Sequence, residues 1–197
     1  MCDLGTGCGI IPLLMSRKNP PRHIYAVDIQ KQAIDQLDES LKISEISNIT
    51  PICADLKELW ENAPLGTLDV VTCNPPYKIN NTGAKNDSEA VSIARHEMLC
   101  TIDDVCRCAK KNLKFGGRLC ICNRPERLCD IMTAMRASGI EPKRLRTVHK
   151  NPECPPWLIL VEGKKGGKPF VQIEKPLYVR SADGGNSAEM KRIYGLE

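Results

Sequence analysis

Asp69-Val70-Val71-Thr72-Cys73-Asn74-Pro75-Pro76-Tyr77 ends an apolar run of strand type in a rigid polar tip. Two consecutive prolines lack N–H groups and hold φ fixed, so a β-ladder cannot run through them. They stiffen the backbone where the strand opens into a loop. On that mount Asn74 presents a side-chain carbonyl and amide, Pro75 a backbone carbonyl, and Tyr77 a flat ring. Oxygen acceptors beside an aromatic plane suit one task, gripping a planar amino group while something is transferred to it. The same residues also make an ordinary strand-to-loop stop, so the rest of the chain has to decide.

Three further features bear on it. Gly5-Thr6-Gly7-Cys8-Gly9 is a glycine loop that lets a ligand approach the backbone closely. Asp28 follows Gly9 by 19 residues and closes the strand-like stretch His23-Ile24-Tyr25-Ala26-Val27. In dinucleotide folds an acid placed there meets ribose hydroxyls, so a nucleoside-bearing cofactor is the natural reading. The spacing G-x-G-x-G, rather than G-x-G-x-x-G, argues against a nicotinamide dinucleotide. Asp55 ends a third strand and can accept a bond from an adenine amino group, although an acid in that place also caps helices.

These residues need a scaffold that brings strand ends together. Helical patterns cover 10–18, 31–45, 56–62, 90–114 and 125–138, with a final turn over 189–194. Strand patterns cover 23–28, 49–54, 68–73, 118–123, 143–149 and 157–162, with a short edge strand over 176–179. Gly116-Gly117 and Gly139 read as helix stops, and Thr101 with Asp104 as an N-terminal capping box. The polar stretch 78–89 reads as a mobile loop. Alternating strands and helices predict an α/β domain with a mostly parallel sheet and helices on both faces. Ligands of such sheets bind at the carboxyl ends of the strands, near the switch point. The glycine loop, Asp28, Asp55 and Asn74 all fall there. The first strand is a stub, since Met1-Cys2-Asp3-Leu4 runs straight into the loop.

At 197 residues one domain is the simplest organisation, 1–197. Net charge is +4, unevenly spread: residues 1–100 hold 9 basic and 13 acidic side chains, and residues 101–197 hold 19 and 11. A basic second half suits a polyanionic partner, or is simply a solvated lysine-rich surface. The 11 cysteines, several inside apolar runs and none at zinc-pair spacing, read as reduced, buried hydrophobes of a cytoplasmic protein with no metal. No apolar stretch reaches the roughly 20 residues of a membrane span.

Taken in order, Asp3-Leu4-Gly5-Thr6-Gly7-Cys8-Gly9, Val27-Asp28, Ala54-Asp55 and Asn74-Pro75-Pro76-Tyr77 resemble class I S-adenosylmethionine-dependent methyltransferases of the N-P-P-Y type. Those enzymes methylate exocyclic or amide nitrogens. The chain is most similar to the bacterial tRNA(Val) adenine-N6-methyltransferase family. That narrower likeness rests on Ile93-Ala94-Arg95-His96-Glu97, Arg144-Leu145-Arg146-Thr147-Val148-His149, the run from Leu160 through Gly167, Pro176-Leu177-Tyr178-Val179 and Ile193-Tyr194. It implies a Rossmann-like fold with an antiparallel C-terminal strand, a first strand truncated here, and an N-terminal family segment absent from this chain. S-adenosylmethionine is then the cofactor and tRNA the partner. Gly5, Gly7 and Gly9 line the methionyl-ribose part, Asp28 binds the ribose diol, and Asp55 contacts the adenine, with Asp3, Thr6, Ile29, Leu56 and Asn74 in the same site. Asn74, Pro75 and Tyr77 hold the target base. Arg146, His149, Lys164 and Lys165, with Lys168 beside them, are candidate RNA contacts, while Arg95-His96-Glu97 is expected to order a loop. Two other readings stay open: a protein glutamine-amide methyltransferase, and a non-catalytic remnant that binds RNA or cofactor.

Overall fold

The computed structural model describes residues 1–17, 20–58, 65–75 and 100–196. Among them, strand β1 (Cys2–Leu4) lies between β2 (Ile24–Asp28) and β4 (Leu68–Cys73), parallel to both. β3 (Ile49–Cys53) continues the sheet beyond β2. β5 (Leu113–Asn123) pairs with β4 in parallel. β7 (Pro156–Lys165) then runs antiparallel between β5 and β6 (Ile140–His149). Two-residue strands β8 (Gln172–Ile173) and β9 (Leu177–Tyr178) both pair with β6. The order is β3-β2-β1-β4-β5-β7-β6-β8. The chain therefore winds outward from β1 in one direction and then restarts on its other side with β4. Connections leaving β1 and β4 diverge, and the crevice between them is where such sheets bind ligands.

Strand pleat divides the core between two faces. Ile24, Ala26 and Ile49 meet Leu37 and Leu41 of α2 (Lys31–Ile43) on one side. Leu4, Val27, Val71, Cys73, Leu119 and Ile121 point to the other. There they pack on Val105, Cys106 and Ala109 of α3 (Ile102–Asn112) and on Ile131 and Met135 of α4 (Leu128–Ala137). The expected capping box starts α3: the Thr101 hydroxyl oxygen accepts the Asp104 N–H at 3.2 Å, and Asp104 Oδ2 accepts the Thr101 N–H at 2.9 Å. Among the described residues the other α-helices are α1 (Ile10–Met15) and α5 (Ala188–Tyr194).

Two expectations fail. The helix ending at Gly116-Gly117 instead stops at Asn112, and β5 runs through both glycines. Leu68 pairs with Leu113 but Val70 pairs with Arg118, so the glycines sit in a bulge, with Gly116 at φ +79°. The helix over 125–138 begins as a 3-10 turn, Pro125–Arg127, before α4. The short first strand is as expected, three residues against five in β2 and six in β4. Of the 56–62 and 90–114 helices, and for the whole 78–89 loop, residues 59–64 and 76–99 lie outside the described set.

Gly9 joins the loop to the core. Its φ is +83°, and a Cβ there would stand 2.4 Å from Leu37 Cδ1. Gly9→Ala combines left-handed backbone strain with overpacking, so chemical denaturation is expected to show a loss on the order of 3 kcal/mol. Adding Leu37→Ala relieves only the steric part, and the double variant should lose less than the sum of the two single losses.

Candidate active site

At the carboxyl ends of β1, β2, β3 and β4 lies a cavity of about 280 Å³. The glycine loop forms one wall. Gly7 has φ +55° and open space where a Cβ would project, so the backbone itself is the surface offered to a ligand. Its N–H donates to Asp28 Oδ2 at 2.7 Å, while Asp28 Oδ1 accepts the Gln30 N–H at 2.9 Å. Asp28 is only 7% exposed, so these bonds fix it at the cavity edge. Asp55 is fixed in the same way by its own turn: Oδ1 accepts the Lys57 N–H at 2.9 Å, and the Lys57 ammonium stands 3.6 Å from Oδ2. Ile29, Leu56 and Val105 give the cavity apolar walls.

Asn74 and Pro75 complete the rim from the end of β4, and Asn74 is exposed there. Of the expected site residues, Gly5, Gly7, Asp28, Ile29, Asp55, Leu56, Asn74 and Pro75 line this one cavity, with Leu4, Gln30 and Cys100 besides. Gly9 sits behind the loop against Leu37. Tyr77 and Arg95-His96-Glu97 lie outside the described residues. Cys73 and Cys100 also border the cavity; burial pushes the Cys73 thiol well above its ordinary value and that of Cys100 up to about 11. Both are neutral thiols near pH 7 and serve as lining, not as nucleophiles. None of the eleven cysteines is in a disulfide, and Cys8, Cys53 and Cys129 are exposed rather than buried as expected.

Beneath the loop, Asp3 and Thr6 are almost fully buried. The Thr72 hydroxyl donates to Asp3 Oδ1 at 2.5 Å. Asp3 Oδ2 and Thr6 Oγ1 are buried with no hydrogen-bond partner among the described residues. Thr6 favours the ionised carboxylate electrostatically but makes no well-formed bond to it. Neither Asp3 nor Thr6 lines the cavity; what the cavity offers a ligand is open backbone at Gly5 and Gly7 with Asp28 fixed at its edge, a nucleoside-sized cradle that suits S-adenosylmethionine. The residues present therefore fit the expected cofactor.

The candidate RNA contacts are placed differently. Arg146 forms a bidentate pair with Glu189 at 2.7 Å and donates through Nε to the Lys175 carbonyl. Lys165 Nζ donates to the carbonyls of Lys110 and Leu113 at 2.6 and 2.7 Å, closing the end of α3. Both nitrogens of His149 meet local partners, the Cys154 carbonyl and the Thr147 hydroxyl. These three hold the second half of the sheet together. Lys164 and Lys168 are exposed. Among the described residues no group of three or more His, Cys, Asp or Glu side chains is arranged to hold a metal ion, and no helix is long and apolar enough to cross a membrane. Reasoning from sequence passed over Thr72, which stands 69 residues from Asp3 and meets it only through the β1–β4 register.

Burial pushes the Asp3 carboxyl from its ordinary 3.8 up to about 6, outweighing the Thr72 bond. A carboxyl raised on folding binds its proton more tightly in the native state, so stability falls as pH rises from 3.8 through about 6. Chemical denaturation across that range is expected to show a loss of about 3 kcal/mol from this group. Asp3→Asn should lack that slope.

Residues 1–135 match the family described as methyltransferase small domain. A tRNA1(Val) (adenine(37)-N6)-methyltransferase of Aliivibrio salmonicida is 27% identical over 116 residues, 59% of this chain and 48% of that protein. The chain thus spans about half the length of that relative. One of the same name from Porphyromonas gingivalis is 25% identical over 200 residues, 97% of this chain and 76% of that one. A solved structure from Agrobacterium tumefaciens, described as a predicted O-methyltransferase, superposes with a TM-score of 0.77 at 17% identity, covering 98% of this chain and 87% of that one. That likeness is one of fold, a Rossmann-like methyltransferase sheet. With the sheet order and a family match over more than half of its length, this chain belongs to the methyltransferase small domain family.

Proposed function

We propose that this chain transfers a methyl group from S-adenosylmethionine to the exocyclic N6 of an adenine in tRNA. One observation carries the reading: Asn74 and Pro75 end β4 on the rim of the cavity that Gly7, Asp28 and Asp55 line. An amine acceptor site and a nucleoside site therefore share one crevice. The names of the relatives favour tRNA adenine as the substrate. The excess of basic residues in 101–197 favours a polyanion, with Lys164 and Lys168 among its exposed members. A tRNA-modifying role places the chain in the cytoplasm.

An adenine amino group is a poor nucleophile because its lone pair is delocalised into the ring. The Asn74 side-chain carbonyl and the Pro75 backbone carbonyl each accept one N–H bond from it. That pulls the nitrogen toward tetrahedral geometry and aims its lone pair into the cavity. The bound cofactor supplies a sulfonium methyl as electrophile, so that a C–N bond forms as the S–C bond breaks. The amine loses its proton to solvent afterwards, and no dedicated base is required. Alignment and fixed dipoles supply the rate. Tyr77, in this reading, stacks on a base already out of its helix, worth roughly 1–3 kcal/mol.

Mass spectrometry of nucleosides from tRNA incubated with protein and labelled cofactor should show N6-methyladenosine. Asn74→Ala should lower the yield on the order of a hundredfold or more. Label on a release-factor glutamine and none on tRNA would replace this reading with the amide one. Equal yields from the two proteins would remove Asn74 from the chemistry.

A further inference from the structure

We propose that the turn after β7 is a second RNA contact, remote from the amine site, where Phe115 and Phe170 stack unpaired bases and Lys164 and Lys168 meet phosphates. The inference rests on the tRNA reading above and extends it to a surface at the opposite end of the sheet from the crevice.

The chain has only two phenylalanines, and both stand in water. Phe115 is 81% exposed and Phe170 88%, the highest values of any large apolar side chain among the described residues. Phenylalanine ordinarily belongs in a core. Here the local structure holds each ring out. Phe115 projects from the β5 bulge, and its ring lies on the backbone of Gly166, where a Cβ would collide with it. Phe170 keeps φ at +91°, a conformation that residues other than glycine rarely adopt. Lys143 Nζ donates to the carbonyls of Lys168 and Pro169 at 2.9 and 3.1 Å, just before that residue. Lys165 ties the start of the same turn to the end of α3. Four residues lead from Gly166 to Phe170, so the mounts of the two rings are at most roughly 14 Å apart.

The uncommitted charge around the rings has one sign. Lys164 and Lys168 are exposed, and neither ammonium makes an ion pair or hydrogen bond among the described residues. The acids nearby are already occupied, Asp69 by Lys114 and Glu141 by Arg136. Flat apolar faces beside free ammonium groups match unpaired nucleotides, whose bases stack on any aromatic plane and whose phosphates take the charge. Leu68 pairs with Leu113 at this end of the sheet, and Asn74 lies six residues along the same chain, so the surface is roughly 20 Å from the crevice. A tRNA is large enough to engage both.

The test follows the anisotropy of a labelled tRNA on titration with the full chain. Phe115→Leu combined with Phe170→Leu keeps the apolar bulk and removes the planes. Affinity for tRNA should fall about tenfold, with its salt dependence unchanged. Lys164→Gln combined with Lys168→Gln should instead flatten the slope of log Kd against log salt by about one to two. Neither pair should change affinity for S-adenosylhomocysteine. Unchanged tRNA affinity in the leucine variant overturns the proposal and leaves the tRNA reading intact. If that variant also loses binding to phosphatidylserine vesicles, or sediments as a monomer where the parent is a dimer, the patch faces a membrane or a second copy instead. A parent chain that binds no tRNA defeats both the tRNA reading and this surface. A parent that binds tRNA without methylating it, with the leucine variant weakened, upholds the surface and rejects only the substrate.

Discussion

Much of the site depends on one buried carboxylate. Asp28 ends β2, and its two oxygens take the N–H groups of Gly7 and Gln30. The first bond curls the loop after β1 back toward β2. The second sets the turn that starts α2 at Lys31. Residues 21 positions apart in the chain are thereby held as one surface. A glycine loop without such an anchor would sample many shapes, and ordering it on ligand binding would cost entropy. Here that ordering is already done when the chain folds.

The sheet provides the other half of the arrangement. β1 and β4 are adjacent and parallel, yet the chain reaches β4 only after building β2 and β3 on the far side. Loops after adjacent parallel strands that belong to different halves must part company, and the parting makes the crevice. Asp28, Asp55 and Asn74 reach it from three different strands because all three strands end on the same side. In the proposed reaction the chemistry depends on few atoms. Backbone carbonyls and an amide aimed from rigid strand ends need no reorganisation as charge develops.

Most of this was legible in the residues themselves. Strand ends, glycine spacing and proline stiffening are local signals, and the β2, β4 and α2 segments were identifiable from pattern alone. What stayed hidden was pairing at long range. Gly116-Gly117 looks like a helix stop in isolation. Only the offset between Leu68–Leu113 and Val70–Arg118 shows it to be a bulge within a strand. Arg146 and Lys165 look like free cations until Glu189, 43 residues away, and the carbonyls at the end of α3 are seen to occupy them. Charge counts cannot separate a cation kept for a partner from one that fastens the fold. Thr72 was missed for the same reason, since its importance lies in what stands opposite it.

The position of β7 has a consequence for how the molecule is made. β6 precedes β7 in the chain, yet β7 is the strand that touches β5. During synthesis β5 emerges with an open hydrogen-bonding edge, and its neighbour is completed only at Lys165. β6 pairs with β7 and not with β5, so in the finished sheet it is the outer arm of the β6–β7 hairpin. The interval between the two is when a nascent chain is most open to pairing with a stranger's strand.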